Sequence, residues 1–277
     1  MEFAAPLVRL LLYSGAALSI GRASLSLVER DIGHERRAVR VSLWSSAIAL
    51  VLAPLALLLL QQHALELTSA ELPGLLRETT WGRGWIQLAI PCVLSAILLP
   101  LRRTRTTASL LLMAVLFVAV AMGGLGHAAA DAHWPLASRL FDAMHVAGVG
   151  AWIGGLALLV LSGAASAKGV APTASKWRTF SRTATVMAPV VLLSGVGSAW
   201  RRVGASTIPA ALASAYGRLL FLKVVLVLVV LALGYAQRRR IAAGQVPART
   251  AVRWELLVAG VVFAATAWMT GMEPPGE

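Results

Sequence analysis

The chain has 277 residues, of which 58% are hydrophobic and 13% charged, with a mean hydropathy of +0.76. That balance exceeds what a water-soluble core of this size requires and leaves no room for a large soluble domain. A formal net charge of +13 in a soluble protein would point to nucleic acid. Here the basic residues stand in short loops beside apolar runs, where headgroups and the positive-inside rule account for them, so membrane lipid is the expected partner and nucleic acid is not.

A helix needs about 20 apolar residues to cross a hydrocarbon layer about 30 Å thick. In chain order the apolar runs cover roughly 4–27, 41–60, 84–100, 108–128, 138–162, 179–200, 217–237 and 252–271. The first lacks a basic stretch before it and a cleavage site before Arg22, and it is read as an uncleaved helix. The third is interrupted by Pro91 and ended by Pro100, which membrane helices tolerate where neighbours satisfy the freed carbonyls. Cys92, the single cysteine, falls inside that run and reads as packing. The predicted fold is an all-α integral membrane bundle of eight transmembrane helices, one polytopic domain over 1–277.

The loops then set the orientation. The odd-numbered loops hold Arg30, Arg36, Arg37, Arg40, Arg102, Arg103, Arg105, Lys168, Lys176, Arg178, Arg238, Arg239, Arg240 and Arg249. The even-numbered loops hold only Arg77, Arg83, Arg139, Arg201 and Arg202. The odd loops are therefore expected in the cytoplasm and both termini outside, an alternation that an odd number of spans would break.

This orientation sorts the histidines. His63 ends the second run and His127 the fourth; Asp131 and His133 lie in the loop after it; Asp142 and His145 fall in the first turns of the fifth. All are expected at or near the outer face, whereas His34 belongs to a charged cytoplasmic loop. On a regular helix Asp142, His145, Val149 and Trp152 share one face. A carboxylate one turn from an imidazole can fix its tautomer and raise its basicity, as at many metal sites, and ionisable groups within a span tend to mark an ion route.

Met122, Met144, Met269 and Met272 fall in the outer halves of their spans. Thioether with imidazole suits Cu(I), and imidazole with carboxylate suits Cu(II) or Zn(II), although methionine is also common packing. Gly150 and Gly154 make a small-xxx-small pair, expected to bring the fourth and fifth helices together near the histidines or to serve plain packing. Lys223 and Glu255 are the remaining ionisable groups in apolar context. They are read as snorkelling at opposite faces, with structural or gating roles. No phosphate-cradling loop, His-Glu-x-x-His motif or activated nucleophile appears, so no enzyme is expected.

Gly126-His127-Ala128, Asp142-x-x-His145 leading to Trp152-Ile153-Gly154-Gly155, Phe180-Ser181-Arg182, Ser194-Gly195, Tyr216-Gly217-Arg218 leading to Lys223, and Trp254-Glu255 running to Pro274-Pro275 resemble the CopD family of bacterial inner-membrane copper-handling proteins. Residues 178–272 resemble its defining domain, with Gln237 standing where an Asn is familiar. The resemblance implies copper resistance or uptake at the bacterial inner membrane, beside a periplasmic copper-binding partner of the CopC type. It implies copper roles for His127 and His145, supported by Asp142 and Trp152. His133, Asp131, His63, Met144 and Met272 are further candidates, and Lys223 and Glu255 supports. The copper ion is the expected ligand, as Cu(I) or Cu(II). Two other readings fit the residues: a haem-binding electron-transfer protein with paired histidines, and a partner that holds a periplasmic copper protein without moving metal.

Overall fold

The computed structural model describes residues 3–28, 37–101, 104–123, 135–164, 174–203 and 212–272. Among them there is no strand. The helices are α1 (Ala4–Val28), α2 (Arg37–Ala64), α3 (Leu72–Glu78), α4 (Thr80–Leu98), α5 (Arg105–Met122), α6 (Pro135–Val149), a π-helical segment (Gly150–Gly154), α7 (Gly155–Ala164), α8 (Ala174–Val203), α9 (Ala215–Ala242) and α10 (Arg249–Met269). Eight stretches are long and apolar enough to cross a membrane: α1, α2, α4, α5, the continuous α6–π–α7 rod, α8, α9 and α10. The eight-span bundle read from hydropathy is the architecture observed.

Several ends differ from the predicted ones, for local reasons. The loop after the second span contains α3, a helix too short for its hydropathy to register. The third span starts at Thr80 rather than 84, because Thr79 accepts a hydrogen bond from the Gly82 N–H and donates to the Leu75 carbonyl, hinging α3 to α4. Arg37, Arg40 and Arg105 lie inside helices, their charges placed at helix ends that hydropathy alone trims away. Thr104 and Thr107 form a capping box at the start of α5. Between α9 and α10 the Gln237 side chain accepts from the Ala248 N–H at 2.8 Å, and Gly244 takes the left-handed conformation, φ 77°, that turns the chain.

α1 is the hub, packing against α2, α5, α10 and the π segment. Gly154 sits directly on the Ala17 carbonyl of α1 and Gly21 on the Gly154 backbone, so a Cβ at either position would overlap main chain. Of the two uses expected of Gly150 and Gly154, plain packing is the one observed. They join the fifth span to the first, and Gly150 faces Ile20. The interior around α1 is aliphatic and small, with Leu43, Leu50, Leu88, Val115 and Cys92 fully buried. Its hydroxyls are satisfied locally: Ser19 and Ser46 both donate to the Gly15 carbonyl, at 2.7 and 2.8 Å. Near the ends of the chain, Phe3 stacks edge-on against Trp268 at 5.2 Å, and Tyr13 shares a 3.1 Å hydrogen bond with Thr270. The start of α1 and the end of α10 therefore lie at the same end of the bundle.

Candidate functional site

The polar side chains of the fifth span divide at the π segment. Before it, α6 packs along α8, and the two helices share a seam of hydrogen bonds at the end of the bundle away from the arginine-rich loops. His145 Nδ1 lies 3.1 Å from the Val191 carbonyl and 3.4 Å from Ser194 Oγ. A carbonyl only accepts, so Nδ1 carries the proton, and in the neutral ring the lone pair falls on Nε2. This is how metal-binding histidines are commonly oriented, with one ring nitrogen donating to a fixed acceptor. Asp142, one turn earlier, accepts from Ser198 Oγ at 2.8 Å.

The acceptor at Nδ1 is the Val191 carbonyl of the neighbouring helix, a partner beside the Asp142 carboxylate that helical spacing alone does not name. The sequence makes that contact possible at Gly195, where a Cβ would stand 3.1 Å from His145 Cε1. Ser194 and Ser198, four residues apart on α8, present their hydroxyls to one face. They were missed as site residues, although the run Ser194-Gly195-Val196-Gly197-Ser198 in an apolar helix is the signal that marks them. At the mouth of the seam Arg201 Nε donates to Ser138 Oγ at 2.5 Å, so the seam carries both signs of charge.

Within the π segment the chemistry changes partner. Trp152 is buried and its indole N–H donates to Glu255 Oε1 of α10 at 3.2 Å. Trp152 stands in the π segment itself, where a turn takes one residue more than an α turn and shifts the helix phase. Glu255 is 3% exposed, which corrects the expectation that it snorkels. Lys223 is half-buried on α9.

The other candidates lie apart. His63 is exposed at the end of α2, whose principal neighbours are α1 and α4. Met144 is 46% exposed. Met272 is half-buried, next to Gly271, which lies against the Arg9 guanidinium. His127, His133, Asp131 and His34 lie outside the described residues. Among the described residues no three His, Cys, Asp or Glu side chains gather as a metal site. What the described part of the site supplies is one oriented imidazole and one carboxylate, one turn apart inside the bundle.

Two family models match the chain. Residues 174–269 match copper resistance protein D, and residues 1–138 match the copper resistance protein D-like N-terminal domain. Asp142, His145 and Trp152 fall between the two matched stretches, whereas their partners Val191, Ser194, Ser198 and Glu255 fall within the first. No curated protein and no solved structure matches the chain.

Proposed function

The chain belongs to the copper resistance protein D family, and on that premise we propose that it takes copper from the periplasm and moves it across the bacterial inner membrane in copper resistance and homeostasis. The observation that carries this reading is His145. Its ring is set by the Val191 carbonyl so that Nε2 holds the lone pair, with the Asp142 carboxylate one turn away. Desolvated ionisable groups inside a bundle are costly and are kept where an ion is bound or passed. An imidazole nitrogen and a carboxylate oxygen suit Cu(II), and the carboxylate offsets the positive charge that Arg139 and Arg201 bring to the same region. His127 and His133 join this ligand set from the adjoining segment, and a periplasmic copper-binding protein of the CopC type is the donor. Copper is cargo in this reading and not a resident cofactor.

The test is metal analysis and competition titration of the purified protein with Cu(I) and Cu(II). His127→Ala with His145→Ala should abolish stoichiometric copper binding, and Asp142→Asn should lower affinity by about tenfold or more. Unchanged stoichiometry and affinity in the double variant would sink the assignment. Copper uptake into proteoliposomes then separates transport from docking.

A further inference from the structure

A cavity of about 250 Å³ lies toward the arginine-rich end of the bundle, with α8 and α9 as its walls. Trp177, Ser181, Ala184 and Ala188 line it from α8, and Leu231, Gly234, Arg238 and Ile241 from α9. Steps of three and four residues keep each set on one helix face. From Leu231 to Ile241 the helix rises about 15 Å, so the cavity is a slot running along the two helices. Its rim on α9 reaches the flank of the bundle, where Tyr235 is 61% exposed and Arg238 is exposed. Only 6% of the apolar window of α9 is buried, which puts that flank against lipid.

The slot is polar at one end and apolar at the other. Nearer the arginine-rich loops, α8 brings the Ser181 hydroxyl, and α9 brings the Gln237 amide and the Arg238 guanidinium. Gln237 Oε1 already accepts from the Ala248 N–H at 2.8 Å, so that side chain has its amide N–H groups left to give. One to two turns further along, Ala184, Ala188, Pro189 and Leu231 offer only apolar surface. Thr185 stands among them with its hydroxyl turned back on the Ser181 carbonyl at 2.7 Å. On the floor is Glu255, level with Gly234, whose Cβ would stand 3.3 Å from Glu255 Oε1. That oxygen is held by the Trp152 indole, and Gly234 is four residues, about 6 Å, from Arg238 along the helix axis. Glu255 is the only acidic residue between 174 and 272, whereas Arg178, Arg182, Arg238 and Arg239 are all exposed at this end. The mouth therefore combines positive charge with convergent donors, which suits a phosphate. A free phosphate would leave the apolar length of the slot unused. A neutral lipid would leave the donors unanswered.

We propose that this slot binds one anionic phospholipid from the leaflet on the arginine-rich side, with the headgroup phosphate at Ser181, Gln237 and Arg238 and one acyl chain lying along Ala184, Ala188 and Leu231. The site is separate from His145 and stands independently of the copper reading.

The experiment titrates the purified full chain in detergent with phosphatidylglycerol carrying brominated acyl chains. Bromine quenches indole fluorescence on contact, and Trp152 and Trp177 line the slot. The expected result is saturable quenching at one lipid per chain, with brominated phosphatidylcholine giving only the background of the micelle. Arg238→Gln removes the charge at the mouth and should weaken binding by about tenfold. Ala188→Leu fills the apolar end and should abolish the saturable quenching. Both variants are checked for unchanged elution and thermal unfolding, and Arg238→Gln decides alone if Ala188→Leu fails that check. Quenching that rises in proportion to bromolipid and never saturates would overturn the proposal. So would equal quenching by the two headgroups or by a brominated fatty acid, or equal affinity in wild type and Arg238→Gln.

Discussion

The amino-terminal spans and the carboxy-terminal spans of this bundle solve different problems. From α1 to α5 the apolar windows are 33–39% buried; the interior is aliphatic, and polar groups such as Ser19 and Ser46 are closed off on nearby carbonyls. In α8 and α9 the buried share falls to 11% and 6%, yet α8 provides Trp177, Ser194 and Ser198, and α10 provides Glu255. The fifth span, 56% buried, stands between the two groups, packed on α1 through glycines and turned toward α8 and α10 through polar side chains. Tight apolar packing thus holds one side of the fifth span still, while loosely covered helices bring hydrogen-bonding groups to the other.

This contrast can be broken most forcefully at the glycine contact. Gly154→Leu places a side chain against the Ala17 carbonyl, and with no flexible atom to yield it should cost about 3 kcal/mol or more. The checking measurement is thermal unfolding in detergent, where a large fall in midpoint and loss of monodisperse protein are expected. An unchanged midpoint would show that α1 does not anchor the fifth span. A smaller effect should come from Ser198→Ala. It removes the hydroxyl donated to Asp142 and should cost about 0.6 kcal/mol of stability, the average for hydrogen bonds between membrane helices. Its larger consequence should be on copper, with affinity falling about tenfold as the carboxylate loses its orienting partner. Equal copper affinity in wild type and variant would place Asp142 outside the site.

The smallest effect belongs to the loop that holds α3, at the margin of the amino-terminal spans. There Glu71 accepts from the Thr68 N–H and hydroxyl, at 2.8 and 2.7 Å. These bonds, the backbone one first, hold its carboxyl below the ordinary carboxylate range. A depressed folded-state value means that the turn's stabilisation is complete above the unfolded carboxylate range and is lost as pH falls through the folded value. Protection of the Thr68 and Leu75 amides, relative to their intrinsic exchange, should fall only in acid, and Glu71→Gln should show the lower protection at neutral pH. A uniform acid response across α4 as well would refute a local origin.

Much of the architecture was legible in the sequence because the bilayer imposes it. Twenty apolar residues and alternating loop charge are strong signals, and both are visible without knowing what any helix touches. The departures arise where a neighbour decides. A regular 3.6-residue period places Trp152 beside His145, and nothing in Gly150-Ala151-Trp152-Ile153-Gly154 announces a π turn. Glu255 reads as snorkelling until the Trp152 indole is found above it. His145 was legible as a candidate, while its partner, the Val191 carbonyl, has no side chain by which a sequence could name it. Ser194 and Ser198 were available as a small-polar pair four residues apart, a signal weaker than a histidine but of the same helical kind.

The π segment has one more consequence, best expressed as phase. An α-helix advances about 100° per residue, so deleting one residue from 150–154 would heal the hydrogen-bond ladder while rotating everything after it by about that angle against everything before it. Gly155 and α7 would turn off α1, or Asp142 and His145 off α8, and no substitution elsewhere could restore both settings. The chain length between His145 and Trp152 is therefore itself a specification, as binding on the fold as the identity of either residue.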